Sequence, residues 1–216
     1  MKYALLLLLL LNCNEKNTSV SLPENEKRHF QPVQKNTTTY ADAKKKSAGL
    51  LKSYKQNPTY ANEKKLHAFV ADSLISFWYG TKWNFNGTTE IPGNGSIACG
   101  YFVTTVLRDA GMQINRVKLA QCSSETMIKQ LTEKSSLQKF SNEPLKSFTD
   151  KVSKHDKGLF IVGLDCHTGF LYNDGTEIYF IHASYATPKI VIKEQAGKSG
   201  ILAASKYRVI GKLNFL

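Results

Sequence analysis

Between residues 158 and 213 the chain runs through five short segments rich in Ile, Val, Phe and Tyr: 158–164, 167–172, 177–184, 189–193 and 207–213. Turn signals such as Asn173-Asp174-Gly175 separate them. Such segments pair into an antiparallel sheet. The upstream pattern is different. Residues 40–55 and 60–79 read as helices. In the second, Leu66, Phe69, Val70, Leu74 and Phe77 recur at spacings of three and four and mark one buried face. Asn57-Pro58 breaks the two helices apart. Helices first and strands afterwards specify an α+β domain.

Between these blocks lies a loop rich in Gly, Asn and Pro (84–95), followed by Ser96-Ile97-Ala98-Cys99 and an apolar run at helical spacing through Tyr101, Phe102, Val106 and Leu107. That helix is predicted to end near Asp109-Ala110-Gly111, with glycine as its cap. A further helix is expected over 124–133 with Ser124 as N-cap, and 137–157 reads as a polar loop with one short helix. His67, on the second helix, is expected at the surface or its boundary.

Met1 and Lys2 precede a run of seven leucines (5–11) and then Asn12-Cys13. A basic start and an apolar run too short to span a bilayer describe a secretory signal over 1–12. Cys13 directly after it resembles the lipobox of bacterial lipoproteins, which implies lipidation of that cysteine and a periplasmic or outer-membrane place; Asn12 stands where that family has a small residue, and the alternative is ordinary cleavage nearby and a free secreted protein. Residues 13–39 are polar, with few large apolar side chains to bury, and form a tether rather than a domain. Residues 40–216 are left as one domain of ordinary size. The formal net charge is +12, and losing Lys2 with the leader lowers it to +11. Such a surplus suits anionic phosphate or membrane surfaces, while export disfavours nucleic acid as the partner. Four cysteines do not make a disulfide scaffold in a chain this long. With Cys13 lipidated and Cys99 a thiolate, only Cys122 and Cys166 remain to pair.

Cys99 begins a helix. Unpaired backbone N–H groups in the first turn and the macrodipole favour a thiolate there; the alternative is a small buried cysteine in an apolar helix. A nucleophile needs a base, and the base needs a third group to orient it. His167 opens one predicted strand and His182 lies near the end of the next. The turn between them makes the strands antiparallel, so the two histidines fall side by side. Each alone also fits a satisfied sheet histidine. Trp83 and Phe85 before the cysteine, and Tyr101 after it, are candidates for a substrate-cleft wall or for plain core.

In order and spacing these pieces resemble the NlpC-type cell-wall cysteine peptidases, a papain-like family, over about residues 83–213. Cys99-Gly100-Tyr101-Phe102-Val103 matches the family's Asp-Cys-Ser-Gly-Phe-Val region, and Gly111, Arg116 and Gln121 keep its spacing of five and five. Gly158-Leu159-Phe160-Ile161 stands at its Gly-Asp-Leu-Val strand. His167-Thr168-Gly169-Phe170-Leu171-Tyr172 and Phe180-Ile181-His182-Ala183 resemble His-Val-Gly-Ile-Tyr and Phe-Ile-His-Ala. The resemblance implies a papain-like fold, with Cys99 as nucleophile, His167 as general base and His182 as the orienting third member. It also implies an oxyanion donor at the Cys99 N–H, and structural roles for Arg116 and Gln121. Ala98 and Gly100 replace the family's Asp and Ser.

The expected activity is an exported hydrolase that cleaves an amide or isopeptide bond in peptidoglycan stem peptides through a thioester. The other readings are a related amidase, acyltransferase or toxin, and an envelope lipoprotein that binds without catalysis. No cofactor is expected. A metal site at Cys99, Cys166, His167 and His182 is not expected either, because the short ligand pairings of structural metal sites are missing.

Overall fold

A computed structural model describes residues 38–215. The leader, the Cys13 lipidation site and nearly all of the 13–39 tether lie outside the described residues. Among those described, no helix is long and apolar enough to cross a membrane.

Thr39 opens α1 (Tyr40–Gln56): its hydroxyl accepts from the Asp42 N–H at 3.2 Å, while the Asp42 carboxylate accepts from the Thr39 N–H at 3.0 Å. The reciprocal cap satisfies two donors that a helix start would otherwise leave bare. Thr59 caps α2 (Tyr60–Phe69) through the Asn62 N–H at 3.3 Å. The second helix does not remain α-helical to Tyr79, as its periodicity suggests. It widens to a π turn over Val70–Leu74 and tightens to a 3₁₀ turn over Ile75–Trp78. Val70, Ala71, Leu74, Ile75 and Trp78 are nonetheless all fully buried. The buried face persists while the ladder changes pitch, in a stretch whose Ile, Ser, Phe and Trp are middling helix formers.

β1 (Lys82–Trp83) and β2 (Ser96–Ile97) pair parallel and clasp the loop between them. The chain passes at once into α3 (Cys99–Asp109), then α4 (Arg116–Ala120) and α5 (Ser124–Leu131). Gly111 follows α3 at φ +105°, a left-handed conformation that suits glycine. The cap of α5 is Ser123, not Ser124; its hydroxyl accepts from the Thr126 N–H at 3.3 Å.

Residues 137–157 hold more structure than a loop with one helix. β3 (Gln138–Ser141) precedes α6 (Leu145–Val152). Only Phe140 of β3 is buried, too little alternation to mark a strand in sequence. β4 (Gly158–Leu164), β5 (Thr168–Asn173), β6 (Ile178–Ala183) and β7 (Val191–Gln195) follow, then a short α7 (Gly200–Ala204) and β8 (Tyr207–Lys212). The six-stranded sheet has the order β3-β8-β4-β5-β6-β7, with every neighbouring pair antiparallel. The α+β assignment and the antiparallel sheet therefore hold.

Both faces of the sheet are covered. Leu159 and Ile161 of β4, with Phe170, Ile181 and Val209, join one core with Leu66, Val70, Phe102 and Val106 from the helices. Phe160 and Val162, with Leu171, Phe180 and Ile210, join a second with Phe148, Val152 and Leu202. Burial on both sides explains why β4 reads as a continuous apolar run rather than an alternating one. Helix α3 lies on the first face, where the rings of Phe102 and Phe170 meet edge to face at 5.8 Å. Burial of a phenylalanine contributes about 1.5–3 kcal/mol, so this contact fixes α3 over β5. Gly100 sets the approach of α3 to α4: a Cβ there would lie 2.5 Å from the Ala120 carbonyl oxygen.

Candidate active site

The loop before Cys99 is held by a buried cation. Arg116 Nη2 donates to the carbonyls of Thr88 (2.8 Å) and Thr89 (3.2 Å), and Nε donates to Thr105 Oγ1 at 2.7 Å on α3. Its guanidinium lies 4.7 Å from the centre of the Tyr101 ring. One planar, five-donor side chain thus ties the loop to the helix. The Ala98 N–H also donates to the Gly87 carbonyl at 2.8 Å. These contacts place the start of α3, and Cys99 with it. Gln121 Nε2 donates to the Tyr101 hydroxyl at 3.1 Å, so Arg116 and Gln121 both hold Tyr101.

Cys99 is a free thiol, half-buried at the first position of α3. Ala98 at the cap has no side chain to occupy the first-turn N–H groups. Burial pushes the Cys99 thiol above its ordinary range, opposed by the backbone N–H groups of Thr168, Gly100 and Cys99 itself. The helix start therefore does not yield the resting thiolate expected of it, because desolvation of the charged form outweighs the donors. The contact with the Thr168 N–H brings Cys99 to the start of β5, next to His167. No hydrogen bond joins Cys99 to the His167 ring among the described residues.

His167 and His182 are brought together as the hairpin predicts. Both are buried, and His167 Nε2 lies 2.9 Å from His182 Nδ1 with the rings at 84°. Gly169 makes room for this. It stands opposite His182, one step beyond the Phe170–Ile181 pair, and a Cβ there would lie 2.8 Å from the His182 Cβ. The His182 ring stacks on Phe180, with centroids 3.9 Å apart and planes at 10°. Burial, then the neighbouring His182, holds His167 well below the usual histidine range. Burial lowers His182 too, against a carboxylate that favours its charged form. That carboxylate is Glu194, whose Oε1 is 3.2 Å from His182 Nε2. Glu194 pairs with Phe180 in the ladder, so it stands on the same face as His182, one diagonal step away.

Sequence reading missed Glu194, because its relation to His182 depends on the register of β7. It also missed Tyr185. That ring lies 5.2 Å from His167 and 6.3 Å from Trp83, and burial followed by the nearby Cys99 raises its hydroxyl pKa. An aromatic residue three positions after His182 was the available signal. Trp83 is half-buried and carries Lys189 Nζ 5.8 Å from its ring centre. Phe85 is 70% exposed. Tyr185 therefore lies beside the cysteine, Trp83 reaches Tyr185 and pairs with Ile97 two residues before Cys99, and Tyr101 is engaged by Arg116 and Gln121.

His67 does not lie at the surface as expected. It is 1% exposed, accepts from the Leu159 N–H through Nδ1 at 2.7 Å, and meets Phe215 edge-on. Its position beside Leu159 is at the opposite end of the β4–β5 hairpin from His167. Cys122 is a free thiol, so it forms no bridge with Cys166. Among the described residues, no group of three or more His, Cys, Asp or Glu is placed to hold a metal ion.

No protein-family model matches the chain, and neither a curated protein nor a solved structure shows significant similarity to it.

Proposed function

We propose that the protein is an exported cysteine hydrolase of the NlpC-like, papain-like kind, attached to the bacterial envelope through Cys13, that cleaves an amide or isopeptide bond in peptidoglycan stem peptides. The observation that carries this reading is the bonded pair of buried histidines, His167 and His182, at the start of β5, the strand on which the helix headed by Cys99 packs. A thiol, a neutral buried imidazole and a second imidazole bonded to the first are the parts that acyl transfer by cysteine requires. No metal or cofactor enters the scheme. The aromatic flank at Trp83 and Tyr185 suits a peptide backbone, and the basic surface suits an anionic wall.

In the first step the Cys99 S–H bond breaks as His167 takes the proton, the sulfur bonds to the substrate carbonyl carbon, and the carbonyl π pair moves to oxygen. The N–H of Cys99 stabilises that oxyanion. Collapse restores the carbonyl, expels the amine and returns the proton to it from His167. Water, deprotonated by the same base, then hydrolyses the thioester.

Incubation of the purified protein with isolated peptidoglycan tests the reading. Peptide fragments are expected, and Cys99→Ala and His167→Ala should each abolish their release. Undiminished release by Cys99→Ala would overturn the mechanism.

A further inference from the structure

The Cys99–His167 reading leaves open which nitrogen of His167 is free to act as base. The hydrogen bonds around His182 determine it. An ionised carboxylate only accepts, so the 3.2 Å contact with Glu194 requires the proton of His182 on Nε2. With Nε2 protonated, the Nδ1 of neutral His182 is a lone pair. The 2.9 Å contact to His167 Nε2 then requires the proton of His167 on Nε2, which leaves His167 Nδ1 unprotonated. His182 and Glu194 come from the neighbouring strands β6 and β7, and His167 is the residue just before β5, its carbonyl accepting from the Leu164 N–H at 2.8 Å, so the order of protons is set by sheet register and a tight strand connection.

We propose that Glu194 is a positioning residue that acts through His182 to hold His167 in the Nε2–H tautomer, making Nδ1 the base for the Cys99 thiol. When His167 accepts the thiol proton on Nδ1, its Nε2 proton can pass to His182 Nδ1. The positive charge then rests on the ring that is bonded to the Glu194 carboxylate. One N–H bond forms as each breaks, and no outside reagent is needed. Among the described residues, the titratable groups facing His182 are His167, just before β5, and Glu194 from β7. Around His167 stand His182, Tyr185 and, through the Thr168 N–H, Cys99.

The proposal rests on the hydrolase reading for its purpose, but its test does not. Long-range ¹H–¹⁵N correlation spectra of the full chain at neutral pH should show both His167 and His182 as Nε2–H tautomers. In Glu194→Gln the amide can donate to His182 Nε2, so the Nδ1–H tautomer of both rings should appear. Turnover of p-nitrophenyl acetate should fall about 100-fold, the scale of a lost general base, while the backbone spectrum stays unchanged. Glu194→Asp, which keeps the charge, should recover the wild-type tautomers. An Nδ1–H signature on wild-type His182, or tautomers unmoved by Glu194→Gln, overturns the proposal. Wild-type tautomers as expected with no ester turnover would instead support the proton order and count against the hydrolase reading.

Discussion

Gly169 and His182 face each other across the β5–β6 ladder with no space for a side chain at 169. An added Cβ would come within 2.8 Å of the His182 Cβ, the Ile181 carbonyl oxygen and the Phe180 ring. Two of these three neighbours are themselves buried ring or ladder atoms with nowhere to retreat. Gly169→Ala should therefore cost about 1–3 kcal/mol, the scale of overpacking in a dense core, and shift the His182 ring from Phe180. Urea denaturation measures the first effect, and the ring-current shift of the His182 protons reports the second. A variant as stable as the wild type would show that the ladder yields at this point.

Acid stability should be governed partly by His67. Its pKa is lowered to about 3 by burial and then by Lys212, against about 6.5 in the unfolded chain. Below 6.5 the unfolded state binds a proton that the folded state refuses. The contribution of His67 is thus fully present above pH 6.5 and is lost as pH falls toward 3, at about 1.4 kcal/mol per pH unit. His167 and His182 shift in the same direction. Replacing His67 by Gln retains an acceptor for the Leu159 N–H. Between pH 7 and 5 it should lose about 2 kcal/mol less stability than the wild type, as read by urea unfolding at the two pH values.

The Cys99 thiol should behave as a protonated group at neutral pH. Burial raises it despite three backbone donors, so its alkylation by iodoacetamide should climb about tenfold per pH unit through the neutral range. Cys122, whose thiol is also raised by burial, provides an internal comparison when labelled peptides are quantified by mass spectrometry. A rate plateau for Cys99 extending below pH 7 would reveal a preformed thiolate–imidazolium pair and defeat general-base activation.

Much of the fold was legible because its signals are local. The β5 and β6 segments, the turn at Asn173-Asp174-Gly175 and the apolar face of α3 each rest on residue order alone. What escaped depends on contacts distant in sequence. Glu194 joins His182 only through the register of β7, β3 buries one residue, and the place of His67 is set by Leu159 and Phe215. The chemical state of Cys99 was misjudged for a related reason: the helix start can be read along the chain, whereas the desolvation imposed by the surrounding elements cannot.

Glu194 stands on β7, an outer strand of the six-stranded sheet, which pairs with β6 on one side and near its start exchanges hydrogen bonds with 80–81: Gly80 donates to the Val191 carbonyl and Val191 donates to the Thr81 carbonyl. Outer strands open more readily than central ones. The far end of the proton chain is therefore mounted on an outer strand and not on a central one. Warming should detune the chemistry while β4, sealed between two cores, still holds the molecule together, so the temperature at which activity fails and the temperature at which the domain melts need not coincide.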